Sequence, residues 1–189
     1  MKLYKRRPEN GNLPVRRGLN SEYRSREYLT LDEVTRLIEA AKIRGRYRVR
    51  DEALLLMMFR HALRVTEATM MQWDAVMLAE GQVVIHRLKG GGQVNHPLQA
   101  DEVAALEALR SAYPDSPYLS PNERGDHITR EAIALIVRRC STVAELPLLA
   151  HAQMLRSSCA HHLFSQGLDR RLVMEWLGLL GIDHLVSDA

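Results

Sequence analysis

The stretch from Asp51 to Leu63 places the first constraint on the fold. Leu54, Leu55, Leu56, Met57, Met58 and Phe59 follow one another without a polar break. At helical periodicity such a run has no polar face, so as a helix it has to be enclosed on every side by other elements. Met57 and Met58 read as core filler. A chain of 189 residues, 46% of them hydrophobic, can supply that enclosure as one large domain with a leader.

The enclosing elements announce themselves by their ends. Thr30-Leu31-Asp32-Glu33 is a capping box, and Leu31, Val34, Leu37, Ile38 and Ala41 then form one apolar stripe. Thr66 is placed to cap a short helix after Arg64. Gly81 to Leu88 has a β-rich centre, Gly90 to Gly92 makes a turn, and Gln93 to Leu98 returns as a second strand ended by Pro97. Ala100 to Ala112 is amphipathic through Val103, Leu106 and Leu109, and Tyr113 to Arg124 is a loop. Ile128 to Arg139 reads as a helix with Arg138 and Arg139 against its C-terminal dipole. Helices over roughly 153–166 and 169–177 follow, with Gly167 between them and Asp169 as a cap. The expected fold class is mainly α with a small antiparallel β-sheet.

Charge is unevenly spread. Residues 1–30 hold eight Lys/Arg against three Glu, so this end is basic while the whole chain is only +3. Residues 1–28, with Pro8, Gly11, Pro14 and Gly18 and no apolar period, read as a disordered basic leader. Arg44, Arg46, Arg48 and Arg50 form a second cluster. Such clusters fit phosphate contacts. Cys140 and Cys159 lack metal-ligand spacing and read as structural thiols in a reducing, cytosolic setting. His161-His162 point to different sides of a helix, and Trp73 and Trp176 read as core. No metal or cofactor is expected. No apolar run reaches the roughly 20 residues that span a bilayer, so no membrane partner is expected.

Four boxes remain. They are His61-Ala62-Leu63-Arg64-Val65-Thr66-Glu67, His86-Arg87-Leu88-Lys89-Gly90 with His96-Pro97-Leu98, Gln153-Met154-Leu155-Arg156, and Leu177-Gly178-Leu179. In this order and spacing, from Leu29 to about Asp188, the chain resembles the catalytic domain of tyrosine recombinases (phage integrases). The resemblance is nearest to the small fimbrial phase-variation invertases. It implies that domain's fold over 29–189, with no separate N-terminal core-binding domain, and double-stranded DNA as partner.

The resemblance also implies roles. Cleaving a phosphodiester builds negative charge on its non-bridging oxygens, which two always-charged guanidinium forks can clamp. Arg64 and Arg156 fit that clamp, and Lys89 fits the general acid that protonates the leaving 5′ oxygen. Arg44, Arg46, Arg48, Arg87, Lys89, Arg170 and Arg171 are the residues expected at the DNA.

Three positions depart from the pattern. Gln153 stands where the family has the His of its His-x-x-Arg box, with His151 as the preceding polar position; an amide does not take a proton near neutral pH. Leu179 stands where the Leu-Gly-His turn has a donor. Counting from that turn, the nucleophilic tyrosine falls at Asp188, and no tyrosine occurs after Tyr118. A carboxylate there is repelled by the phosphate, and its attack would give a labile acyl phosphate. Ser187 is shorter and lacks an evident base. The first expectation is a DNA-binding relative without its own nucleophile, acting as a regulator or as a partner of an active recombinase or second protomer. The alternatives are a working invertase using a tyrosine supplied in trans, and a non-functional remnant with a truncated or frame-shifted C-terminus.

Overall fold

The computed structural model describes residues 26–88 and 92–179. The basic leader up to residue 25, Lys89 to Gly91, and the tail with Ser187 and Asp188 lie outside the described residues. Helices α1 (Leu31–Ile43), α2 (Arg48–Arg60) and α3 (Val65–Met70) come first. A three-stranded sheet of β1 (Val76–Met77), β2 (Gln82–His86) and β3 (Gln93–Pro97) follows, and then α4 (Ala100–Ala112), α5 (Arg130–Val143), α6 (Ala152–Ser165) and α7 (Arg170–Trp176).

Helix α2 is the hub that its apolar run demands. Residues 53 to 59 are all buried, and α2 packs against α1, α3, α4 and α6. Its one buried carboxylate, Asp51, is held by Arg50 at 2.7 Å and by Arg139 of α5 at 2.5 Å. Arg50 is therefore interior, its second arm on the Pro121 carbonyl at 2.8 Å, and it does not join the exposed basic cluster. Arg139 reaches Asp51 while staying partly exposed, and because α5 runs on to Val143 it does not lie at the helix end.

The capping box of α1 forms: Glu33 N–H donates to Thr30 Oγ1, and Thr30 N–H donates to the Glu33 carboxylate at 2.8 Å. Val34, Leu37, Ile38 and Ala41 are buried, but Leu31 is 51% exposed. As the first helical residue it leans back beyond the helix start, past the core edge. Helix α3 begins one residue before Thr66. Arg64 is its N-cap, and Glu67 closes on the Arg64 backbone N–H at 2.9 Å.

The sheet order is β1-β2-β3, antiparallel throughout, with Val83 opposite His96 and Ile85 opposite Val94. Alternation turns Val83 and Ile85 into the core. His96 is turned in with them and is fully buried. The short β1 pairs with β2 and was not apparent in the sequence pattern. Cys140 and Cys159 are buried and unpaired with each other. Among the described residues no helix is long and apolar enough to cross a membrane.

Candidate phosphate-binding site

The site is built on the C-terminal end of α2. A helix leaves its last carbonyls without partners, and those carbonyls favour cations. Here Ala62, at φ 49°, turns the chain away from the helix axis. The carbonyls of Arg60, His61 and Ala62 become a ledge of acceptors. Trp176 Nε1 donates to Arg60 O at 3.0 Å, and Arg87 Nη2 donates to His61 O at 2.9 Å. Arg156 Nη1 donates to Ala62 O at 2.5 Å.

Arg156 projects from α6 and is nearly buried. Its Nη2 donates to Leu177 O at 2.6 Å. Burial, and then the charges of Arg64 and Arg87, push its guanidinium down to about 10, still charged at neutral pH. Arg87 links the two arginines of the expected clamp: it shares Glu67 with Arg64 and the Ala62 carbonyl with Arg156. Three like charges gather here because one carboxylate sits among them.

That carboxylate is Glu67. It accepts from Arg64 N, from Arg64 Nη1 at 2.7 Å, from Arg87 Nη1 at 3.0 Å and from Leu88 N at 3.3 Å. Burial pushes its acid up, but the Arg64 backbone and side-chain hydrogen bonds and the Arg87 charge outweigh this and hold it below the usual carboxylate range. Glu67 thus fixes Arg64 and also Leu88, the residue before Lys89. Lys89 itself lies outside the described residues.

Arg87 departs from the exposed DNA-facing role expected of it. Its side chain is 1% exposed, and its guanidinium bonds Glu67, His61 O, Ala62 O and, at 2.5 Å, Trp176 O. It ties the hairpin to α2 and α7. The Leu177-Gly178 turn is shaped around it. Gly178 has φ +62°, and a Cβ there would stand 2.5 Å from Arg87 Cγ. Only glycine meets both conditions.

Of the degenerate positions, Gln153 and Leu179 are described and Asp188 lies outside the described residues. Gln153 is exposed on the first turn of α6. His151 is the N-cap residue of that helix, with Nε2 3.3 Å from Glu27 Oε2. Leu179 is 51% exposed, its N–H donating to Met174 O at 2.8 Å. Arg44, Arg46, Arg48, Arg170 and Arg171 are all exposed, Arg46 in an ion pair with Glu123 at 2.9 Å. Asp169 caps α7 by accepting from Arg171 N at 2.7 Å. His161 stacks on Tyr28 at 4.0 Å, while His162 lies against Phe59. No group of three potential metal ligands occurs among the described residues. Burial pushes the Cys159 thiol up to about 12, which leaves it unreactive beside the site.

Sequence reasoning gave no role to Glu67, Glu102, His61 or His96. The signal for Glu67 was its place three residues after Arg64, the spacing of a capping carboxylate. For the two histidines it was their recurrence in two separate boxes. His61 Nδ1 lies 3.1 Å from His96 Nδ1, and His61 Nε2 lies 2.7 Å from Glu102 Oε1. Burial, helped by the charges of His61 and Arg87, holds the His96 imidazole down to about 2, so it is neutral.

Comparison with known proteins identifies the family. Residues 27–185 match the phage integrase family. The chain is 32% identical over 171 residues to the type 1 fimbriae regulatory protein FimB of Escherichia coli (strain K12), covering 88% of this chain and 85% of that protein. The crystal structure of XerH site-specific recombinase bound to difH substrate superposes with a TM-score of 0.70 at 25% identity, over 84% of this chain and 48% of that one. The XerA recombinase structure gives a TM-score of 0.72 at 23% identity over 84% of this chain and 58% of that one, a likeness of fold.

Proposed function

Because this chain belongs to the phage integrase family of tyrosine recombinases, we propose that it binds duplex DNA without cleaving it unaided, as a regulator or partner of an active recombinase. The observation that carries this reading is an intact pair of arginines beside missing proton-transfer and nucleophile positions. Arg64 and Arg156 are held by Glu67, Ala62 O and Leu177 O. The positions that would move a proton or attack phosphorus are Gln153, Leu179 and Asp188. Binding a phosphate needs only fixed positive donors, and a guanidinium has five of them. Breaking the phosphodiester needs a hydroxyl nucleophile and a proton donor as well.

Exposed Arg44, Arg46, Arg48, Arg170 and Arg171 add sequence-independent affinity, and Lys89 is a further cation for the DNA. The DNA-bound XerH relative and the fimbrial relative described as a regulatory protein both support the reading. Titration of a duplex over a salt series tests it. The logarithm of affinity should fall linearly with that of salt, and Arg64→Ala should reduce the slope by about 1 with the fold intact. An unchanged slope would remove Arg64 from the DNA and the reading with it.

A further inference from the structure

The phosphate clamp is joined to a chain of buried polar groups that no step of phosphate binding requires. It starts on the first turn of α4, where Glu102 accepts from Gln99 N at 2.9 Å and is thereby fixed. It continues to His61, whose Nε2 lies 2.7 Å from Glu102 Oε1 as a close contact outside hydrogen-bond geometry, and through His61 Nδ1 to His96 Nδ1 at 3.1 Å. The His96 ring then stacks on Trp176 at 3.7 Å, the planes 21° apart. The backbone of Trp176 and Leu177 gives the carbonyls that hold Arg87 at 2.5 Å and Arg156 at 2.6 Å. The His61 carbonyl holds Arg87 from the other side.

We propose that Glu102, His61 and His96 are positioning residues for the phosphate clamp, acting through Trp176. The proposal rests on the DNA-binding reading above. Three polar side chains at about 1% exposure or less are an expensive way to fill a core, since apolar residues of the same volume need no partners. What the polar chain adds is orientation. One proton on the Nδ1–Nδ1 axis fixes both imidazole planes, and the stacked ring fixes the plane of Trp176. With Trp176 set, the Leu177 carbonyl stands where it aims the Arg156 fork. The titratable groups around His96 are His61 and Arg87, with Glu102, Glu67 and Arg156 behind them.

The test uses the full chain, a mixed-sequence duplex and a salt series, with a thermal melt of each variant. Arg156→Ala should lower the salt slope by about 1. His96→Leu should lower it by the same amount, and the double variant should lose no more than either alone. His96→Asn, which keeps a nitrogen toward His61 but has no ring to stack on Trp176, should lower the slope as His96→Leu does. If His96→Leu does not fold, the shape-conserving Glu102→Gln takes its place with the same expectations. A wild-type slope in His96→Leu, or additive losses in the double variant, would overturn the relay while leaving the DNA-binding reading in place. A wild-type slope in Arg156→Ala would overturn the clamp itself, and the relay with it.

Discussion

Lowering the pH from about 7.5 to about 5 should destabilise the protein through one ring, His96. In the unfolded chain this imidazole titrates at its ordinary 6.5, whereas in the fold it is held down to about 2. Between those values the unfolded state binds a proton that the folded state refuses. The sign follows: the folded state is at its full relative stability above 6.5 and loses about 1.4 kcal/mol per pH unit below it, down to about 2. From pH 7.5 to 5 the loss amounts to about 2 kcal/mol. The ring is fully buried, so solvent screening does not reduce this figure. Urea unfolding at both pH values measures it. His96→Asn keeps a nitrogen toward His61 but has no proton to gain, so it should lack this loss while sharing every other titration. Equal acid sensitivity in the two proteins would refute the reasoning, because it would mean that the His96 ring takes up its proton inside the fold.

Substitutions at three further positions follow from the same structure. Glu67→Ala leaves Arg87, at 1% side-chain exposure, buried without its anion and should cost about 3–5 kcal/mol in urea unfolding. Because the Glu67 carboxyl is held below its usual range, its contribution is present above about pH 4.5 and lost as the pH falls below it; Glu67→Gln should lack that acid limb. Gly178→Ala meets both a positive φ and the Arg87 side chain, so its Tm should fall by roughly 4–8 °C, about 2 kcal/mol. Thr30→Ala removes the acceptor for Glu33 N–H and should cost about 1 kcal/mol by urea unfolding, with DNA affinity unchanged.

Where local chemistry and burial agree, the sequence was enough to place an element. Helix α4 runs from Ala100 to Ala112 as its apolar spacing indicates, and the Thr30 box starts α1. Strands β2 and β3 pair within the stretch from Gly81 to Leu98 that the pattern marked. Departures came where a distant partner outweighed a local rule. Arg139 turns to Asp51 on another helix, and Arg87 turns inward because Glu67 and three carbonyls wait there. Arg64 and Arg156 were picked out by the resemblance of their boxes to the tyrosine recombinase pattern, not by their own spacing. The groups that hold them were not picked out. Glu67 stood in its box without a role, and the Glu102–His61–His96 contacts join residues on three separate elements whose meeting no periodicity encodes.

Capture of sheared genomic DNA from the source cell on the purified chain, at near-physiological salt, tests the central claim most directly. Half of each sample is denatured before the DNA is recovered. The account predicts discrete sites recovered from the native half that vanish from the denatured half. Sites that survive denaturation would reveal a covalent phosphodiester link and contradict the claim that the chain does not cleave DNA with a nucleophile of its own.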